Sequence, residues 1–487
     1  MEPRRLHVPI KLLQLPKRML KKGKLIMPKK KKPTLKQATI KGLIQRITNE
    51  LLAEHAMLYV IEWGKLYLWN HLTFLYEECE PTIKQEIEQE LGEDATPAVV
   101  NGILFKLKNV TSKRLAEVTI GDTNLIPLKN ALWDLKNKKP IQYTREHIYF
   151  SKLNVDCYPE KDCPKIKAFE LKVFQGNQNK INLFRKLVAY CFYRRYPIHK
   201  AFMLLGEGDN GKSVSLQLIR AMLGEQNVSG RSMQELASDR FAIIHLHNKY
   251  ANLDADISKV TLKGADTFKK LTGEDLVTGQ YKGKDGFEFV SFAKLGFSAN
   301  EVPDVSEDTS ERFFSRWEYL EYEYIIPINE QNPNILSELT TQEEMDAYAG
   351  ILITEVLPAL LEEKKFSEMT DEERKQMWFK HGESSAQFCT DCLTPAVGAV
   401  LAHTELWDAY TKYCTENKLR AETMTKLERV IRKKFKEAVP RSSSSTTDET
   451  GEKKSIWVAR NIRFKVADEK PADKKLDVSF NYVEEKK

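Results

Sequence analysis

A chain of 487 residues is long enough for roughly two to four domains with cores of their own. Its 41% hydrophobic and 30% charged residues are those of a soluble globular protein. No apolar run approaches the roughly 20 residues of a membrane span, and the basic N-terminus lacks the apolar centre and small-residue cleavage site of a secretory signal. The net charge of +7 is modest but unevenly placed, so a uniformly basic or acidic binding protein is excluded and the charge has to be read segment by segment.

From Arg4 to Lys36 lysine and arginine run almost without acids. Residues 1–37 therefore read as a basic flexible arm that neutralises phosphates and adds salt-sensitive nucleic-acid affinity. Residues 38–180 read as a helical and mixed domain, mostly helical as far as about 120. "IKGLIQRITNELLAEHAMLYV" carries apolar residues at helical spacing, and "EPTIKQEIEQELGED" has the charge density of an exposed helix ending at glycine. "TNLIPLKNALWDLKNKKPIQY" breaks short apolar runs with Asn, Lys and Pro, as small strands and turns do. "KINLFRKLVAYCFYRRYP" predicts a helix leading into the next segment.

Strand-like and helix-like runs alternate from about 198 to 327, which predicts an α/β core over 181–340. Residues 341–397 read as a helical, acidic segment. Over 398–467 two or three short helices, a polar linker "RSSSSTTDETGEKK" and the alternating strand "SIWVARNIRFKV" fit a small winged-helix module. Residues 468–487 are a charged tail. The cysteines, Cys79, Cys157, Cys163, Cys191, Cys389, Cys392 and Cys414, are odd in number and scattered, which is no disulfide framework. Cys389 and Cys392 form a C-x-x-C without a second ligand pair, so reduced cysteines in a cytoplasmic protein are expected.

The chemistry concentrates in "HKAFMLLGEGDNGKSVSLQLIRAMLG". A short apolar strand, Ala201 to Leu205, precedes the loop Gly206, Gly208, Asn210, Gly211, Lys212 and Ser213, and a helical run follows up to Gly224. Strand, glycine-rich loop and helix in this order form a phosphate-binding loop. Its backbone amides wrap phosphates, Lys212 bridges the β- and γ-phosphates, and Ser213 places a hydroxyl on Mg²⁺. ATP and Mg²⁺ are the expected ligands. Hydrolysis also needs an acid at the end of a neighbouring strand. "KYANLDADIS" supplies Asp254 and Asp256, whose roles, holding Mg²⁺ or positioning water, the spacing leaves open. Downstream, "LVTGQY" and "FEFVSF" flank "KGKDG" as a β-hairpin with Lys282 and Lys284 at its tip, placed to touch a phosphate backbone. "AKLGFSAN" ends a buried strand in Asn300, an amide able to orient water. Arg312 and Arg316 follow as candidates to stabilise charge on a transferring phosphoryl group.

Together these segments resemble superfamily 3 helicases, in the branch found in phages, plasmids and large DNA viruses. "GEGDNGKS" matches that family's loop through Asn210, "FKKLTGEDLVTGQYKGKDGFEF" its middle motif through Gly273, Asp275 and Lys282, "FSANEVP" its sensor through Asn300 and Pro303, and "DTSERFFSRW" its arginine through Arg316. "KYANLDADIS" aligns Asp256 as the better acid, with Asp254 in support. The resemblance spans about 120–465, with Ala131 standing where a related Asn-Gly phrase has glycine. It implies an AAA+-like core and a homo-hexamer on single-stranded or forked DNA, with Arg316 serving a neighbouring subunit's ATP. It also implies a viral, plasmid or integrated-element replication context, with a separate primase or polymerase as partner, since the first 120 residues hold no acidic motif of a primase-polymerase domain. Two other classes stay open: an ATP-switched replication initiator without processive unwinding, and a chaperone-like remodeller without DNA.

Overall fold

A computed structural model of the chain describes residues 20–21, 24–25, 40–118, 121–255, 257, 265–283, 286–300, 302–303, 311–380, 384–417, 419, 421–447 and 453–465. Of the expected arm it describes only an antiparallel pairing of Leu20–Lys21 with Lys24–Leu25. Asp256, Lys284 and the tail beyond 465 lie outside the described residues. The chain divides into two compact units, 1–56 with 79–111 and 57–78 with 112–487.

The smaller unit is built on three helices, Ile40–Glu54, Glu80–Leu91 and Pro97–Val110. Leu43, Ile47 and Leu51 bury one stripe of the first, and Ile83, Ile87 and Leu91 one stripe of the second, the four-residue spacing of a helix face. Gly102 lets the first and third helices approach, because a Cβ there would stand 2.7 Å from Ile44 Cδ1. Gly92, at φ +59°, ends the second helix. The mostly helical reading as far as about 120 is corrected in the larger unit. Met57–Val60, Lys65–Asn70 and Leu75–Glu78 form an antiparallel meander. "MLYV" alternates, and Gly64 (φ +61°) and the Asn70 side chain, which accepts from the amide of Leu72 at 2.9 Å, turn the chain between strands. Helical spacing upstream hides the switch because no glycine or proline separates Glu54 from Met57.

A second meander follows as Leu125–Pro127, Leu132–Asp134 and Lys139–Ile141, then helices Pro164–Val173 and Gln178–Cys191. Beyond them lies a five-stranded parallel sheet. Its order is Val228–Ser229, Ala251–Asp254, Lys294–Ala299, Ala201–Leu205 and Trp317–Glu321. The strand latest but one in sequence is thus inserted beside the first. Ala201–Leu205 and Lys294–Ala299 are buried at every position, as strands covered on both faces must be. Two apolar clusters cover the sheet, one reaching into Phe169, Phe184 and Tyr348, the other into Phe268, Phe313 and Trp378.

The helical segment after the sheet runs from Gln342 to Glu363 with a π-turn over Leu352–Val356, and again over Asp371–Lys380. A third cluster begins at Phe388, upstream of the expected boundary at 398. Its elements are helix Ser384–Cys392, strand Leu393–Ala402, helices His403–Glu416 and Met424–Lys434, and strands Val439–Thr447 and Lys453–Phe464. Two expectations are corrected here. "GAVLA" belongs to a strand, not a helix, and "RSSSSTT" is an edge strand, not linker; both pair antiparallel with Lys453–Phe464. Serine and threonine read as loop by composition, yet an edge strand with one free side tolerates them. Cys389 and Cys392 are buried in this cluster. Among the described residues no disulfide forms, and no helix is long and apolar enough to cross a membrane.

Candidate functional site

The strand Ala201–Leu205 delivers the loop 206–211, and helix Lys212–Leu223 leaves it. The loop needs its glycines at two points. Gly206 has φ +153° with the Tyr322 carbonyl where a Cβ would stand, and Gly211 has φ +90° with Val173 Cγ1 2.7 Å from a Cβ position. Asp209 takes the left-handed conformation at φ +57°, which a short polar side chain tolerates. Its carbonyl is held by the amide of Ile326 at 2.8 Å. Among the described residues, no protein acceptor is bonded to the backbone N–H groups of Gly208, Asp209, Asn210, Gly211 or Ser213. Unmatched amides in a tight loop at the start of a twelve-residue helix make an anion cradle.

Lys212 lies inside this cradle. Its ammonium donates to Gly206 O at 2.7 Å, Glu207 O at 2.6 Å and Asn210 Oδ1 at 3.0 Å. Burial lowers its pKa, partly offset by Glu207. Asn210, 2% exposed, turns its Nδ2 to the Tyr322 carbonyl at 3.0 Å, and the Tyr322 hydroxyl donates to Ser215 Oγ at 2.9 Å. One asparagine thus links the loop lysine to the segment after the last strand. Ser213 is exposed on the first helical turn. These residues fit a triphosphate: amides and an ammonium for its oxygens, and a hydroxyl for the divalent cation it carries.

Sheet order brings two further expected residues to the same edge. Asp254 ends the strand that pairs with Phe297, and Asn300 directly follows Ala299, whose carbonyl accepts from the Gly206 amide at 3.3 Å. Asn300 is exposed beside the loop, and Asp254 is half-buried.

Two expected residues lie elsewhere. Arg316 directly precedes the strand Trp317–Glu321, at the opposite edge of the sheet. Its Nη1 donates to Thr272 Oγ1 at 3.1 Å, and burial lowers its pKa. Arg312 is exposed on the turn of helix before it. Lys282 is exposed at the tip of the hairpin Leu276–Gln280 with Gly286–Val290, paired from Leu276↔Val290 to Gln280↔Gly286. The hairpin is anchored along one face. Phe287 and Phe289 pack on the His247 ring at 5.1 and 5.0 Å, and Trp63 lies 4.6 Å from the same ring.

Three contributors carry no type signal in the sequence. Tyr322 acts through its backbone carbonyl, and Phe169 and Val173 wall the loop from a helix far upstream. That helix is fixed by buried Glu170, which pairs with Arg185 at 2.5 Å and accepts from Tyr348 at 2.6 Å.

Residues 26–175 match the family model described as D5 N terminal like, and residues 204–316 match a family of unknown function, DUF5906. The first match reaches upstream of the segment where the helicase resemblance begins. No curated protein matches the chain. Similar solved structures include "The apo structure of NrS-1 C terminal region (305-718)", at 15% identity and TM-score 0.47, covering 86% of this chain and 98% of that one. "The A form apo structure of NrS-1 C terminal region-CTR" is likewise 15% identical, at TM-score 0.43, covering 85% and 98%.

Proposed function

We propose that this chain is an ATP-dependent DNA helicase of the superfamily 3 kind, working as a homo-hexameric ring on single-stranded DNA at a fork. The observation that carries the reading is the split of the expected catalytic set between two edges of one sheet. Lys212, Ser213, Asp254 and Asn300 share one edge. Arg316 stands at the other, where it completes a neighbour's site rather than its own.

Each side chain then has a task. The amides of 208–213 and Lys212 would hold the triphosphate, and Ser213 with Asp254 or Asp256 would hold Mg²⁺, the other acid positioning water. Mg²⁺ held there would supply positive charge to offset that of the triphosphate. Asn300 orients the attacking water, and a neighbour's Arg316 meets the charge that develops on the γ-phosphoryl group. The hairpin with Lys282 at its tip leads through Ser291–Ala293 into the strand Lys294–Ala299, which Asn300 directly follows, so one continuous segment would join a DNA grip to the hydrolysis site. The order helix, strand, helix, helix, strand, strand over 384–464 supports a winged-helix module that adds DNA affinity.

Strand displacement on a forked duplex, measured beside DNA-stimulated ATPase, tests the reading. The intact chain is expected to do both, Lys212→Ala to do neither, and Lys282→Ala with Lys284→Ala to keep basal ATPase while losing unwinding. ATPase that responds to DNA without strand displacement would instead select an initiator switch. ATPase indifferent to DNA would select a remodeller.

A further inference from the structure

The outer sheet of the C-terminal module carries an exposed aromatic ring that its fold does not need. Trp457 stands on the central strand Lys453–Phe464 and is 52% exposed, whereas neighbouring Val458 and Ala459 are buried. The guanidinium of Arg441, from the edge strand, lies 4.5 Å from the Trp457 ring centroid. Arg441 is itself exposed. The edge strand follows directly from the helix Met424–Lys434 through a turn at 436–437. Over 424–436 the sequence holds six basic residues, Lys426, Arg429, Arg432, Lys433, Lys434 and Lys436, against one acid, Glu428. Glu428 Oε1 lies 2.9 Å from His403 Nε2. Arg432 and Lys436 are exposed, and Arg441 follows five residues further on, past one exposed acid, Glu437.

A flat ring backed by a guanidinium, at the end of a cationic track, matches one ligand chemistry. Cations take phosphates without reading sequence. An exposed tryptophan face takes a planar base, and only an unpaired base offers its face for stacking. Duplex DNA would use the cations but leave Trp457 idle. We infer that Arg441 and Trp457 form a stacking platform for an unpaired base of a nucleic-acid strand whose flanking phosphates lie on Arg432 and Lys436. The platform stands whether or not the chain is a ring motor, because neither residue touches the phosphate-binding loop.

The experiment uses the full chain with Lys282→Ala and Lys284→Ala as background, so that the hairpin does not mask the result. Fluorescence anisotropy of a labelled oligothymidylate is read across a salt series. Trp457→Ala is expected to weaken binding about tenfold, the loss of one stacked base, while Trp457→Phe keeps most of the affinity. Arg441→Ala is expected to weaken binding and flatten its salt dependence. For Trp457→Ala, binding of a blunt duplex and basal ATPase stay unchanged, whereas Arg441→Ala weakens duplex binding as well. The proposal is overturned if Trp457→Ala binds oligothymidylate like its background, if it loses duplex and single-strand binding equally, or if it alters the oligomeric mass while leaving strand binding intact.

Discussion

The carbonyl of Arg316 accepts a hydrogen bond of 2.7 Å from the amide of Ala201, so the arginine is fixed at the start of the very strand whose end delivers Lys212. Five strand residues separate them, roughly 16 Å of rise, and the guanidinium is turned to Thr272. On the proposed reading it would serve no phosphate held by the same chain's Lys212. Arg316→Ala is therefore expected to keep nucleotide binding while ATPase falls at least about a thousandfold. Mixing it with Lys212→Ala protein is expected to restore part of the ATPase, because some interfaces then pair an intact loop with an intact arginine. No recovery on mixing, with nucleotide binding intact, would sink the shared-site arrangement.

Gly211 is constrained twice, by φ +90° and by Val173 Cγ1 at 2.7 Å from a Cβ position. Gly211→Ala is expected to cost about 1–2 kcal/mol in backbone strain alone and to abolish binding of a fluorescent nucleotide. Adding Val173→Ala relieves the contact but not the dihedral, so the double variant should recover only part of the affinity. Full recovery would mean that the dihedral carries no cost.

His247 is packed among Trp63, Phe287 and Phe289, and burial lowers its pKa to about 3. The folded value lies below the unfolded one, so the unfolded chain takes up the proton first. The stability that comes from keeping the ring neutral is complete above about pH 6.5 and is lost as pH falls toward 3. Between pH 7 and pH 5 the loss is roughly 2 kcal/mol. Denaturant unfolding at both values checks this, and His247→Phe should be the less acid-sensitive protein.

Glu318 and Arg374 form an ion pair of 2.5 Å with side chains 1% and 6% exposed, and Ser367 donates to the second carboxylate oxygen at 2.8 Å. Glu318→Gln removes the charge and leaves Arg374 buried against a neutral amide. The expected destabilisation is about 3–5 kcal/mol by chemical unfolding. Replacing both residues with apolar ones of similar volume should cost less than the single change, which separates loss of the pair from loss of packing.

The loop 206–211 between strand and helix was legible because turn geometry constrains residue types, with glycines where the backbone must turn. Asn300 and the Lys282 hairpin were legible through alternation ending at a polar residue. The strands over 57–78 were not, since no glycine or proline separates "MLYV" from the helix that ends at Glu54. The edge strand "RSSSSTT" was not either, because its partner, not its composition, makes it a strand. Tyr322 was invisible in principle. It supports Asn210 with a carbonyl that every residue possesses, and only the path of the chain brings it there.

The bond between Asn210 and Tyr322 joins residues 112 positions apart. The loop sequence is finished early in synthesis, but the partner that holds its asparagine, and through it the lysine, emerges only after the last strand. Contacts that close so large a span form late in folding. A nascent or truncated chain ending before Tyr322 would own every residue of the signature and still lack a shaped nucleotide cradle. The shape of the loop in this chain is thereby tied to the strand Trp317–Glu321 being in place.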